Sequence, residues 1–335
     1  MNIMTNRVKF GMIGTSNIAE AFLRGASKVQ DFELVSVYSR DLNKAKIFGK
    51  KYGAKLFFDD VEEMASSPEI DAVYIASPNA LHCNQAILFM NHRKHVLCEK
   101  AFASNSKEVR QMIDVAKENK VVLMEAMKST QLPNFKIIQE NLHKIGKIRR
   151  YFGSYCQYSS RYDKLKSGIV ENAFKRELSN GALMDIGIYC IYPMVVLFGK
   201  PEYVKGEAYR LETGVDGEGA AVFKYAEMDG VIQYSKIANS YIPSEIQGEE
   251  GTMIIDKINI PSDVTIKYRE GREEKVSVPQ ELEEMCYEIE EFIGLIKDGK
   301  EESVNNSHYN SLKVMEIMEE IRHQIGLYYI GEEAR

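Results

Sequence analysis

Short continuous apolar runs alternate with helical stripes along the first third of this chain. Val8, Phe10, Met12 and Ile13 form a run suited to a buried strand. Gly11, Gly14, Thr15, Ser16 and Asn17 break it, and Ile18, Ala19, Phe22 and Leu23 then recur at helical spacing. The alternation continues with a strand over 33–39 and a helix over 41–52 that Asp41 can cap. A short strand near 55–58 leads to a short helix around 61–65. Asp71 to Ala76 is a fourth strand, and after Asp71 it is continuous in its apolar character, as a parallel strand buried on both faces requires. Pro78-Asn79 turns this strand into a helix over 81–91. A strand at 95–98, a helix marked by Val109, Met112, Ile113 and Ala116, and a strand at 121–124 complete the series. Strands and helices alternating at this pace predict βαβ units and a doubly wound parallel sheet.

After a helix over 134–143 the pattern becomes strand-rich. It opens at 149–157, and alternation is clear at Val231-Ile-Gln-Tyr-Ser-Lys-Ile237 and Val264-Thr-Ile-Lys-Tyr268. Gly248-Glu-Glu-Gly251 and Glu270-Gly271 read as turns between strands. This predicts a large open, mostly antiparallel sheet, and so an α+β second domain. A helix is expected over 183–198, ahead of that sheet. Its Asp185 and Tyr189 are four apart, which puts them on one face with Cβ atoms ~5–6 Å apart. Gly187 leaves room for a ligand or a backbone. Pro193 cannot donate to the Tyr189 carbonyl, so a bend is expected just past Tyr189. Structural alternatives stand beside these: Asp185 as a helix cap, Tyr189 as core. Two amphipathic helices close the chain, one through Leu282, Met285, Cys286, Ile289, Phe292, Ile293 and Ile296, the other through Val314, Met318, Ile321 and Ile325. Both are expected to pack only, with glutamates on the solvent side.

The 335 residues exceed what one core usually supports, and the break is placed between 1–128 and 129–335. Net charge is −6 with scattered Lys and Arg, so neither a nucleic-acid backbone nor an anionic membrane is an expected partner. The most apolar window, Gly181 to Phe198, is interrupted by Asp185 and Pro193 and fits a buried helix. The N-terminus shows no signal-peptide core. Five scattered cysteines form no metal-ligand spacing, so no metal is expected, and reduced thiols point to the cytoplasm.

Two stretches then acquire chemical meaning. The turn Gly14-x-Ser16-x-x-Ala19 is a degenerate form of the glycine fingerprint that brings helix N–H groups to a dinucleotide pyrophosphate. An ordinary βα turn is the alternative. The second strand ends in Tyr38-Ser39-Arg40, where an NAD-selective domain would offer a carboxylate. A guanidinium beside a hydroxyl suits a 2′-phosphate, so NADP is the expected cofactor, with NAD as the alternative.

The chain resembles the glucose–fructose oxidoreductase / inositol dehydrogenase / MocA-type family of NAD(P)-dependent oxidoreductases. The matching pieces are Gly11-Met-Ile-Gly14-Thr-Ser-Asn-Ile-Ala19, Ser39-Arg40-Asp41, Ala76-Ser77-Pro78-Asn79-x-x-His82, Cys98-Glu99-Lys100, Met124-Glu125-Ala126 and Gly181-Ala-Leu-Met-Asp185-Ile-Gly-Ile-Tyr189. Asp185-Ile-Gly-Ile-Tyr189-Cys and Glu212-Thr-Gly-Val-Asp216 resemble the dihydrodiol and pentose dehydrogenase branch. The resemblance implies a Rossmann domain followed by the α+β domain. It implies cofactor contacts at Gly14, Thr15, Ser16, Asn17, Ile18, Ser39, Arg40, Ser77, Pro78, Asn79, His82, Glu99 and Lys100. It also implies Lys100, Tyr189 and Asp185 as catalytic residues, expected to meet where the two domains join, and a homodimer or higher oligomer formed through the open sheet.

This chain departs from the family pattern at two points. Ala101 stands where relatives carry proline after the lysine. A non-proline cis peptide costs ~2.5–4 kcal/mol, so any cis geometry is expected to be lost here. Thr130-Gln131-Leu132-Pro133 replaces an Arg-aromatic-x-Pro run, leaving Lys128 as a candidate cation. The expected function is hydride transfer between NADP(H) and a secondary alcohol or carbonyl of a small sugar, polyol or cyclic diol. The alternatives are an NAD-retaining glycosidase-type enzyme and a dinucleotide-sensing regulator. Lys128, Tyr162, Phe174, Arg176 and Arg210 are further pocket candidates.

Overall fold

Strand and helix alternate from Val8 to Ala126 in a computed structural model that describes residues 7–332. The order is β1 (Val8–Ile13), α1 (Asn17–Ala26), β2 (Phe32–Tyr38), α2 (Leu42–Lys51), β3 (Leu56–Phe58), α3 (Val61–Ser66), β4 (Ala72–Ile75), α4 (Asn79–Asn91), β5 (His95–Glu99), α5 (Ser106–Asn119) and β6 (Leu123–Ala126). Then follow α6 (Pro133–Asn141), β7 (Ile148–Cys156), α7 (Ser160–Lys166) and a π-helical turn (Leu183–Gly187) that runs into α8 (Ile188–Phe198). Seven strands come next: β8 (Tyr203–Arg210), β9 (Asp216–Lys224), β10 (Asp229–Ser235), β11 (Ser244–Gly248), β12 (Gly251–Ile255), β13 (Val264–Tyr268) and β14 (Glu273–Lys275). Helices α9 (Met285–Asp298) and α10 (His308–Gln324) end the series. Two units result, residues 7–103, 107–128 and 281–308 in the first and 104–106, 129–280 and 309–332 in the second.

The first unit is a six-stranded parallel sheet in the order β3-β2-β1-β4-β5-β6, the doubly wound arrangement expected from the strand–helix rhythm. Strand β4 is buried at all four positions, which accounts for its unbroken apolar character. The order reverses between β1 and β4, and ligands of open α/β sheets bind at the carboxyl ends beside such a reversal. Phe22 of α1 stacks on Tyr74 of β4 with ring centroids 3.6 Å apart, and Phe10 lies 5.8 Å from Phe292 of α9. Asp41 caps α2 by accepting from the Asn43 and Lys44 amides.

Helix α9 corrects two expectations. Leu282 lies outside it and is 90% exposed, and Glu288 is fully buried rather than on the solvent side. Position 288 falls three after Met285 and four before Phe292. Helical geometry therefore places it within the apolar stripe that packs on the first unit.

The second unit is built on an eight-stranded sheet in the order β14-β13-β12-β11-β7-β10-β9-β8. Every pairing is antiparallel except β7 with β10. Gly248 and Gly251 bracket the two-residue β11–β12 turn, as their sequence signal predicted. Helix α8 covers one face, with the Tyr151 hydroxyl of β7 donating to the Cys190 carbonyl at 2.8 Å. Tyr203, Tyr209 and Val222 are exposed on strands β8 and β9. The stretch Arg176–Phe198 is long and apolar enough to cross a membrane, but 72% of its apolar window is buried in the protein, which fits a core helix. It runs on through Pro193; its departure from α geometry lies ahead of Ile188, in the π turn, and not just past Tyr189.

Candidate active site

In the first unit, three chain reversals line the carboxyl edge of the sheet. Gly14 leaves β1 with φ +107°, and a Cβ there would stand 2.7 Å from the Ala76 carbonyl oxygen, so only glycine fits. The turn thus passes close to the end of β4, with Thr15 half-buried and Ser16, Asn17 and Ile18 exposed at the start of α1. Ser16 is the N-cap residue, yet its hydroxyl makes no cap bond. The first-turn N–H groups are therefore not engaged by that hydroxyl, as an anion site requires. At the end of β2, the Ser39 hydroxyl accepts from the Asp41 amide at 3.3 Å, while Arg40 is exposed and forms no ion pair among the described residues.

The turn after β4 is braced from inside. Ser77 donates to Gln85 Oε1 at 2.6 Å, and Pro78 and Asn79 start α4. His82 is fully buried, with Nε2 2.8 Å from the Ser77 carbonyl oxygen and Nδ1 2.9 Å from that of Ala101. It therefore ties this turn to the end of β5. Burial holds its pKa down, the Lys100 charge adds to that, and both carbonyls oppose it. Neutral imidazole donates to only one of the two at a time.

At the end of β5, Glu99 is buried, with Oε1 accepting from the Tyr74 hydroxyl at 2.5 Å and Oε2 from the Lys100 amide at 3.2 Å. Lys100 is half-buried, and the peptide that follows it is cis. The expectation that Ala101 loses this geometry is thus corrected. Phe102 N–H donates to Glu125 Oε1 at 3.1 Å, which fixes the path beyond the cis bond. Behind this turn lie Glu288, whose oxygens have no hydrogen-bond partner among the described residues, and Lys128, 3.7 Å from Glu284. Burial drives the Glu288 pKa well above the carboxylate range; the Glu99 charge adds to this and Lys128 opposes it. Lys128 thus answers carboxylates of its own unit.

In the second unit, Gly181 through Val195 is buried except at Asp185 and Tyr189. The π turn keeps these two residues on the one half-exposed face of an otherwise buried segment. Gly187 admits neither a ligand nor a backbone: a Cβ there would meet the Tyr234 ring at 3.1 Å and Leu183 Cδ1 at 2.9 Å. Tyr189 meets Tyr155 edge-on with centroids 5.7 Å apart. Asp185 forms an ion pair with Lys236, whose side chain is 5% exposed and lies 5.6 Å above the Phe174 ring. Tyr162 and Phe174 pack together beside these groups, whereas Arg176 and Arg210 are exposed.

Lys236 had escaped the sequence reading, although its signal was present. It continues the inward parity of Ile232 and Tyr234, so the alternation that predicts the strand also turns this lysine inward.

Residues 8–127 match the model of the oxidoreductase family with an NAD-binding Rossmann fold, GFO/IDH/MocA, and residues 137–254 match the GFO/IDH/MocA C-terminal domain. The chain is 55% identical over 327 residues to the scyllo-inositol 2-dehydrogenase (NADP(+)) of Bacillus subtilis, covering 98% of this chain and all of the relative. It is 32% identical to the trans-1,2-dihydrobenzene-1,2-diol dehydrogenase of Danio rerio, over 90% of this chain and 91% of that one. Its fold is that of a 3-ketoreductase from Actinomadura kijaniata solved with NADP and TDP-benzene, with TM-score 0.85, 21% identity and coverage of 96% and 98%.

The Asp185–Lys236 pair sets a stability test. Lys236→Met removes the cation paired with Asp185 and is expected to cost about 1–3 kcal/mol in urea unfolding, while Asp185→Asn in the same background recovers part of the loss. Strictly additive single-variant effects would show that the pair is not coupled.

Proposed function

The chain belongs to the GFO/IDH/MocA oxidoreductase family, and from that membership we propose that it oxidises a secondary alcohol of a sugar, polyol or cyclic diol with NADP, or reduces the matching carbonyl. The observation that carries this reading is the pair Asp185 and Tyr189, the only positions from Gly181 to Val195 that are not buried. A segment so apolar that exposes only an acid and a phenol is fitted to meet a hydroxylated ligand. The NADP-linked inositol dehydrogenase at 55% identity supports a polyol as substrate.

The nucleotide edge fits the cofactor. Gly14 leaves the backbone cradle that a Cβ would fill, and the exposed start of α1 takes the pyrophosphate. Ser39 and Arg40 would hold the 2′-phosphate, and the Ser77–Asn79 turn, held by His82, would help to line the cofactor site. Once bound, the cofactor supplies the hydride acceptor or donor. The chain itself must orient the reacting carbon and move one proton. Tyr189 passes that proton. A free phenol titrates near ~10 and is a poor base at neutral pH, so Tyr189 needs a cation to favour the phenolate, the role the family resemblance gives Lys100. Asp185, held by Lys236, orients the substrate hydroxyl. A panel of aldoses, polyols and diols including scyllo-inositol, scored by NADPH absorbance, tests the substrate class; no turnover of any member would refute it.

Three further results are expected. NADPH should bind more tightly than NADH in fluorescence titration, and Arg40→Ala should narrow the gap by roughly 10–100-fold, the worth of a charge-assisted hydrogen bond. Equal affinities in the unaltered protein would overturn the cofactor assignment. Tyr189→Phe should lower kcat by ~10²–10⁴-fold while sparing NADPH binding. Lys100→Met should cost at least as much, and the double variant little more, because the two act as one unit. Near-normal turnover in Tyr189→Phe would move the proton transfer to Lys100. The open sheet, with Tyr203, Tyr209 and Val222 exposed, is proposed to pair with a second copy as a two-fold dimer. Light scattering at micromolar protein should then give twice the single-chain mass, and a monomer mass would exclude it.

A further inference from the structure

We infer that Asp216 is the positioning residue of the segment that presents Asp185 and Tyr189, its carboxylate holding the first turn of that segment in place. The inference rests on the catalytic reading of those two residues given above. Asp216 opens β9 and is fully buried. Its Oδ2 accepts from the Leu183 amide at 2.7 Å, and Leu183 is the first residue of the π turn. First-turn N–H groups have no acceptor within their own helix, and a carboxylate there gains both a charge-assisted bond and the favourable end of the helix dipole. Ala182, which precedes that turn, has no side chain that could cap it.

The approach is close enough to dictate a second residue. Gly181 adopts φ +150°, and a Cβ at that position would overlap Asp216 Oδ1. Gly181 and Asp216 therefore form one fitting, although they lie 35 positions apart in the chain.

An ordinary buried ion pair does not account for this carboxylate. Arg322 of α10 is the cation that faces it, but Arg322 spends its terminal nitrogens elsewhere. Nη1 and Nη2 each bind Glu332 at 2.8 Å, and Nη2 also binds the Ser104 carbonyl at 2.9 Å. Tyr234 of β10 and Tyr329, beyond α10, are the other titratable groups facing Asp216, and neither gives it a hydrogen bond among the described residues. Oδ1 has no partner at all among them. Burial pushes the Asp216 pKa up to about 6, against the pull of the Leu183 amide, its own amide, the Arg322 charge and the Ala182 amide. A carboxyl raised in the fold binds its proton more readily there than in the unfolded chain. The fold thus loses stability as pH rises from the ordinary carboxylate range through about 6. The ionised form is the stronger acceptor for the Leu183 amide.

The test compares Asp216→Asn, Asp216→Ala and Gly181→Ala with the unaltered chain. Hydrogen exchange of the peptide spanning 181–190, read by mass spectrometry, needs no substrate. Turnover with NADP and scyllo-inositol as the probe polyol is followed across pH 5–8. Asp216→Asn keeps an acceptor oxygen but not the charge. It should speed exchange in this peptide, lower kcat by ~10²-fold as a misplaced reacting group does, and leave NADPH affinity within about twofold. An acid limb of kcat is expected near pH 6 in the unaltered protein, where the Asp216 carboxyl takes up its proton, and Asp216→Asn should flatten it. Gly181→Ala should reproduce these effects with Asp216 intact. Unchanged exchange at 181–190 in a folded Asp216→Ala or Asp216→Asn protein overturns the inference. Should Asp216→Ala fail to fold, the isosteric Asn variant decides alone. Faster exchange with unchanged kcat overturns it differently: the anchor is then real, and the catalytic reading of Asp185 and Tyr189 is what fails.

Discussion

The first unit depends on a steric constraint, the passage of the β1–α1 turn past the end of β4 with no room for a side chain at Gly14. A parallel sheet whose order reverses between β1 and β4 splays its connections to opposite faces, and the gap between them is where a ligand can reach backbone N–H groups. That gap is useful only if the backbone itself forms its wall. Gly14 against the Ala76 carbonyl achieves this, and the buried His82 then fixes the wall by tying the Ser77 turn to Ala101. The three reversals after β1, β4 and β5 are thereby fixed relative to one another before any ligand arrives.

The second unit solves a different problem. A segment buried from Gly181 to Val195 must still present polar groups, and burial makes each of them costly unless it is paired. Asp185 is paired with Lys236, a lysine that is itself buried and lies over Phe174. The first turn is capped by a carboxylate from a distant strand instead of by its own neighbour. Tyr234 fills the space that Gly187 leaves open. The result is a rigid platform with one acid and one phenol at its surface. Binding and catalytic geometry needs support of this kind, because loosely held side chains lose orientation.

Buried charge recurs in both units and is treated unequally. Arg322 is bidentate to Glu332 and stacked on Tyr329, so its charge is paired, although Nε has no hydrogen-bond partner among the described residues. Glu288 has no hydrogen-bond partner among the described residues, and burial drives its pKa well above the carboxylate range. Asp216 stands between these extremes, with one oxygen engaged and the other not. Burial raises the Asp216 carboxyl to about 6, against the pull of its engaged oxygen.

The sequence alone determined the layered order of the first unit, because period-2 and period-3.6 apolar patterns are local and each βαβ step follows from the last. It also determined the Asp41 cap, the β11–β12 turn and the pairing of Asp185 with Tyr189 on one face, since each depends on residues a few positions apart. The family resemblance was legible for the same reason, its motifs being contiguous. Contacts between distant residues were decided by tertiary structure. Lys236 reaches Asp185 across 51 positions, and Asp216 reaches Leu183 across 33. Glu288 was misplaced because helical spacing shows which positions share a stripe, whereas only packing shows how wide the buried stripe is. The cis peptide after Lys100 lay beyond local propensity, which favours trans for alanine; here the surrounding chain, through the Phe102–Glu125 and His82–Ala101 bonds, sets the path. Local patterns thus fixed which elements form and in what order. Which buried polar groups answer one another is a property of three-dimensional proximity that no window of the sequence contains.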